Sequence, residues 1–259
     1  MTHAFIRPRS AEACLVSSAG TITQREIGDA DETVSRGHRD WIRRCYDGPA
    51  GMLLRIGSLL SLHEPLVGRL ISGGAFSLRG CRSILDIGVG AGQVLRHLLA
   101  SADPDARVTA IDLSTGMLQR TRESLRSSRP TLMAADLRRL PFADDSFDCI
   151  TCGWVLEYQS DPRPALRELR RVLTPKGKLL VLATDDTPAG RMVGRLWSCR
   201  TFTADLLRTA CRDVGLRWEC RHWLSPVHRL LGAGGILFEA TKPGVEVPPR
   251  SMNASRSPA

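Results

Sequence analysis

Between Ile84 and Gln93 the chain reads ILDIGVGAGQ, a short apolar run followed by three glycines at alternate positions and then the start of a helical pattern. Glycine has no Cβ, so at Gly88, Gly90 and Gly92 the backbone can turn sharply and bring its N–H groups close to a ligand. A helix that begins directly after such a turn aims the positive end of its dipole at any carboxylate or phosphate bound there. The dinucleotide fingerprint G-x-G-x-x-G would need glycine at position 93 or 95, where Gln93 and Leu95 stand, and no G-K-[ST] phosphate loop occurs. The pattern present is G-x-G-x-G.

The surrounding chain supports a strand–turn–helix reading. Short apolar runs alternate with helical stretches, the signature of βαβ units and a parallel sheet. Strands are expected at 83–87, 108–111, 131–135, 147–153 and 178–184, with helices at 114–125 and 162–173 and one carrying Val94, Leu95, Leu98 and Leu99 on a single face. Thr203 can cap a further helix presenting Leu207, Ala210, Cys211 and Val214, with Gly215 ending it in the left-handed conformation. Two closing strands follow at 216–222 and 236–241. Ahead of the sheet, apolar residues recur at helical intervals over 39–71, interrupted at Asp47-Gly48-Pro49 and at Pro65.

Asp112 closes the second strand 20 residues past Gly92, where a Rossmann-type domain carries the acid that accepts from ribose hydroxyls. Asp86 with Gly88, Gly90 and Gly92, then Asp112, Ala135-Asp136-Leu137, Leu140-Pro141-Phe142 and Ser146-Phe147-Asp148, resembles the class I SAM-dependent methyltransferases. Within them it is most similar to the branch that includes the ubiquinone and menaquinone biosynthetic enzymes and many small-molecule methyltransferases. The similarity runs over residues 39–243.

The resemblance implies a doubly wound, seven-stranded, mostly parallel α/β sheet with an antiparallel last strand and N-terminal capping helices. It implies S-adenosyl-L-methionine as cofactor and a small-molecule methyl acceptor, with a lean towards lipophilic or quinone-like compounds. Gly88, Gly90 and Gly92 would line the methionine part and Asp112 would hold the ribose. Leu113 and Met117 would sandwich the adenine, Asp136 would bond its amino group, and Leu137 would donate from its backbone. Gly153 and Trp154 would face the sulfonium, and Tyr46, in a Tyr-Asp pair shared with this branch, would touch the methionine carboxylate. Where the branch often has histidine after a Leu-Glu pair, this chain has Leu156-Glu157-Tyr158.

Methyl transfer from a sulfonium requires mainly orientation and a dry site, with a base needed only when the accepting atom carries a proton. No motif names that base. Glu157, Tyr158 and His222, with His38, Asp185 and His228, are candidates because they flank strand ends or loop segments. Cys149-Ile150-Thr151-Cys152 is a C-x-x-C without a second pair, inside an expected strand, so no metal site is expected there.

Composition sets the remaining bounds. Hydrophobic residues make up 42% of the 259 and charged residues 24%, enough apolar material for one large domain. We expect it over 36–243, with its core at 80–185 and unstructured tails at 1–35 and 244–259. The net charge of +9 is almost all arginine, scattered without a block of like charge, so nucleic acid is not specifically indicated. An RNA or protein methyltransferase, or a non-catalytic SAM-binding partner subunit, remain the alternatives. Eight dispersed cysteines and no apolar run of about 18 residues fit a cytoplasmic protein without a transmembrane segment. Residues 52–62 (MLLRIGSLLSL) are apolar enough to pack on the sheet, to cover a greasy substrate or to lie on a membrane surface. No oligomeric state is implied.

Overall fold

The computed structural model describes residues 14–15, 63–125, 127–223 and 235–244. A two-residue strand β1 (Cys14–Leu15) is followed by α1 (His63–Ser72), β2 (Ser83–Ile87), α2 (Gln93–Ser101), β3 (Arg107–Asp112), α3 (Thr115–Ser124) and β4 (Thr131–Ala134). Then come β5 (Phe147–Gly153), a 3-10 turn (Leu156–Tyr158), α4 (Pro162–Val172), β6 (Leu173–Ala183), α5 (Pro188–Trp197), α6 (Ala204–Asp213), β7 (Arg217–His222) and β8 (Ile236–Thr241). The helices expected before residue 63, the tails expected at 1–35 and 244–259 apart from Cys14, Leu15 and Gly244, Tyr46, His38, His228 and residues 52–62 lie outside the described residues.

The sheet order is β1-β4-β3-β2-β5-β6-β8-β7. The five strands β4, β3, β2, β5 and β6 run parallel to one another, and β8 is antiparallel to both β6 and β7. All seven expected strands are present, and β1 adds a short antiparallel edge beside β4. The chain builds outward from β2 to β4 and then crosses to β5 on the other side of β2. The crevice between the C-terminal ends of β2 and β5 is therefore the point where such sheets bind ligands.

Burial explains the strands. All five residues of β2 are buried, as a central parallel strand covered on both faces requires. One core cluster joins Leu85, Ile150, Val181 and Phe238 to Leu166 and Leu169 of α4 and Leu207 of α6. The other joins Ile84, Val108, Leu180 and Leu237 to Val67 of α1, Leu95 and Leu98 of α2 and Leu118 of α3. Cys149 and Cys152 fall in different clusters, because residues three apart on a strand point to opposite faces.

Two elements differ from the sequence reading. β6 begins at Leu173 rather than at 178, because Leu173 pairs with Phe147 before the ladder resumes at Lys178 and Cys149. The residues between bulge outward, with Pro175 lacking an N–H and Lys176 at φ 65°. Helix α5 was not anticipated. Pro188 opens it and the Thr187 hydroxyl accepts from Gly190 N, yet its Met192 and Leu196 are 68% and 73% exposed.

Candidate active site

The glycine turn is shaped by what surrounds it. Gly88, Gly90 and Gly92 have φ of 74°, 53° and 81°. A Cβ on Gly88 would stand 2.3 Å from Val155 Cγ2 and 2.8 Å from the Gly153 carbonyl, so the turn after β2 and the loop after β5 touch there. A Cβ on Gly90 would meet nothing nearer than the Gly88 carbonyl at 3.9 Å. Gly88 is thus committed to packing, while Gly90 faces open space.

Asp112 fastens this turn as well as closing β3. One carboxylate oxygen accepts from Gly90 N at 2.9 Å and the other from Ser114 N at 2.9 Å. Two hydroxyls of α3 grip the turn's carbonyls: Thr121 donates to Gly90 O and Ser124 to Ala91 O, the latter at 3.0 Å. Sequence reasoning missed both. Their signal is polar residues three apart on the helix face that also carries the buried Leu118.

Asp86 lies in mid-strand opposite Thr151, whose hydroxyl donates to Oδ1 at 2.6 Å. Its Oδ2 is buried without a hydrogen-bond partner among the described residues. Burial pushes this carboxyl up to about 7, against the opposing Thr151 bond. Glu157 is buried in the 3-10 turn beyond β5. Its Oε1 accepts from the Thr184 amide at 2.8 Å and hydroxyl at 2.9 Å, while Oε2 is buried without a partner among the described residues. Burial raises this group, too, to about 7.

The remaining predicted residues divide by position. Gly153 ends β5, and Trp154 follows with φ 52°, an unfavourable conformation for a bulky residue, its N–H donating to Leu182 O at 2.9 Å. Leu113 is half-buried and Met117 buried at the start of α3. Asp136 forks with the Arg138 guanidinium at 2.8 Å and accepts from its amide, and Leu137 points into the core, leaving its backbone for any contact. Tyr158 is half-buried beside Glu157. Asp185 pairs with Arg221 at 2.9 Å. His222 is not brought to the turn: it sits on β7, four strands from β2, about 19 Å away at the usual strand spacing.

A glycine turn pinned on both sides, at the crevice of a sheet with an inserted antiparallel β8, is now matched by family. Residues 85–181 match the methyltransferase domain family. They are a class I SAM-dependent methyltransferase domain. A malonyl-[acyl-carrier protein] O-methyltransferase of Hahella chejuensis is 33% identical over 69% of this chain and 62% of its own length. The ubiquinone/menaquinone biosynthesis C-methyltransferase of the same organism is 28% identical over 63% of this chain and 67% of its own. The chain therefore spans under two thirds of the first relative. In fold it is similar to magnesium protoporphyrin IX methyltransferase from Synechocystis PCC 6803, solved with bound SAH (TM-score 0.60, 15% identity, 79% of this chain and 99% of that one).

The family's cofactor is S-adenosyl-L-methionine, and the methyltransferase domain's residues fit it. The turn leaves room where Gly90 lacks a side chain, and Asp86, two residues before Gly88 on β2, has a buried carboxylate oxygen with no hydrogen-bond partner among the described residues. A carboxyl held near 7 is half ionised at neutral pH, and a ligand bearing positive charge would favour its ionised form.

A recess of about 590 Å³ is lined by Ser160, Arg163, Arg195, Arg200, Phe202 and Leu206, among others. Among the described residues no helix is long and apolar enough to cross a membrane.

Proposed function

We propose that this chain transfers the methyl group of S-adenosyl-L-methionine to a small-molecule acceptor with a lipophilic, quinone-like body. The observation that carries the reading is the glycine turn at the β2–β5 crevice, tied to Asp112 through Gly90 N and following the buried Asp86 of β2. When bound, the cofactor supplies an already activated methyl group, so the protein's work is to bind, orient and exclude water.

In this reading Gly90 leaves space for the methionine portion while Gly88 and Gly92 shape the turn that lines it, Asp112 accepts from the ribose, and Leu113 and Met117 flank the adenine. Asp136 and the Leu137 amide serve the adenine edge, and Gly153 and Trp154 border the reacting centre. Tyr46 would act from outside the described residues. Glu157 is the base we favour among the candidates. A carboxyl raised to about 7 at the end of β5 is half ionised near neutral pH, which suits proton removal from a phenol-like or enol-like acceptor. The relatives' names, a quinone-pathway C-methyltransferase and an acyl-carrier-protein O-methyltransferase, support a small or carrier-borne acceptor. The exposed Met192 and Leu196 of α5 support an apolar one. A cytoplasmic location belongs to the same proposal.

Calorimetric titration of S-adenosylmethionine and of NAD into the wild type and Asp112→Ala tests the cofactor assignment. We expect micromolar binding of the first, none of NAD, and at least a tenfold loss in the variant, since each charge-assisted bond is worth about 1.5–3 kcal/mol. NAD binding, or equal affinity in the variant, would refute the assignment. With an acceptor in hand, Glu157→Gln should remove the limb of the kcat profile near pH 7 while leaving cofactor affinity unchanged.

A further inference from the structure

Strands β7 and β8 are out of step at one point. Trp218 stands opposite Ala240 and Cys220 opposite Glu239, so two steps along β7 match one along β8. A β-bulge of this kind re-aims side chains. In a regular strand, positions 218, 220 and 222 would share a face. Here Trp218 stacks on Phe238 at 4.2 Å on one side of the sheet, whereas Cys220 and His222 turn to the other, where Glu239 lies.

We propose that Cys220, His222 and Glu239 form a binding site for a divalent transition metal of the zinc type. Cys220 Sγ lies 3.4 Å from His222 Nε2, and the same nitrogen lies 3.3 Å from Glu239 Oε2. All three donor atoms fall within 4.8 Å of one another. In a tetrahedral zinc site, bond lengths of about 2.3 Å to sulfur and 2.0 Å to nitrogen or oxygen set donor separations of about 3.5 Å for S–N and 3.3 Å for N–O. Two of the three edges already have those lengths. The third, from Cys220 to Glu239, is within 4.8 Å.

Hydrogen bonding alone serves this arrangement poorly. A neutral imidazole carries either one hydrogen or one lone pair at Nε2, while a thiol sulfur and a carboxylate oxygen both converge on that atom. A cation accepts from all three at once, leaving Nδ1–H to donate elsewhere. The donor set of one thiolate, one imidazole and one carboxylate selects zinc-like ions over magnesium or calcium, which prefer oxygen alone. Thiolate and carboxylate together balance a charge of two. The ligand side chains of His222 and Glu239 are 14% and 21% exposed, shielded enough to hold an ion and open enough for a water in the fourth position. The site clips the outermost strand β7 to β8 and is separate from the cofactor cradle.

The test uses the untagged full chain, stripped with a chelator and dialysed, then titrated with Co²⁺ as a spectroscopic probe. One equivalent should give a thiolate-to-cobalt charge-transfer band that Zn²⁺ abolishes by displacement. Cys220→Ser should eliminate the band, and His222→Ala and Glu239→Gln should each weaken binding by at least about tenfold. Should a variant fold poorly, wild type gives an independent readout. Zn²⁺ should then protect Cys220 from alkylation, followed by peptide mapping. A band that survives Cys220→Ser, or no metal uptake at micromolar concentration together with unprotected Cys220, overturns the proposal and leaves His222 and Glu239 as a hydrogen-bonded pair.

Discussion

At Gly88 a single methyl group would collide with Val155 and with the Gly153 carbonyl, on a backbone at φ 74°. The left-handed conformation alone costs a non-glycine residue about 1–2 kcal/mol, and the collision must also displace the loop after β5. Gly88→Ala should therefore lower stability by more than that amount and weaken S-adenosylmethionine binding at least tenfold, read by denaturant melts and calorimetry. Gly90→Ala bears a similar conformational cost without the collision, so its loss of stability should stay near 1–2 kcal/mol. Equal losses at the two positions would show that packing against Val155 is unimportant. Sequence alone marks both glycines as special. Only the fold separates the one that packs from the one that opens.

Among the elements, those written in local chemistry were legible. Thr203 donates no apolar surface to the core, yet its hydroxyl accepts from Leu206 N at 3.2 Å and sets the start of α6, whose other end is released by Gly215 at φ 77°. Thr203→Ala should cost about 1 kcal/mol, seen as a lower denaturation midpoint with an unchanged slope. A larger loss would mean that the threonine also holds a tertiary contact. Strand β5 was readable end to end, because Phe147 to Gly153 is a run of residues buried on both faces with turn residues on either side. The start of β6 was not, since Pro175 and Gly177 read as terminators and only the pairing of Leu173 with Phe147 extends the strand past them. Helix α5 was missed because Met192 and Leu196 face outward, so no buried stripe advertises it.

At the scale of the whole molecule, two buried carboxyls link folding to pH. Asp86 rises from 3.8 to about 7 and Glu157 from 4.5 to about 7, both chiefly through burial. A carboxyl whose folded pKa lies above its unfolded value binds its proton more tightly in the native state. Its contribution to stability is fully present below the unfolded value and is lost as pH rises through the folded one. The cofactor-free protein should therefore lose stability between about pH 4 and pH 7, by at most about 1.4 kcal/mol per pH unit for each group. Asp86→Asn, which keeps an acceptor for Thr151, should flatten that slope in denaturation measured across the range. An unchanged slope would mean that Asp86 is ionised in the folded state throughout.

The sequence by itself determined the α/β class, the order of the strands along the chain and the glycine turn with its acid at Asp112. Each is a local signal: apolar periodicity, absence of Cβ, or a carboxylate at a fixed distance along one βα unit. Tertiary structure alone decided which groups meet across strands. Thr151 under Asp86, Val155 against Gly88, Thr121 and Ser124 on the turn's carbonyls, and Cys220 and His222 turned towards Glu239 all depend on pairing register and on a bulge. Register is set by how buried faces match between segments far apart in the chain, and a shift of one residue reverses every side chain's face.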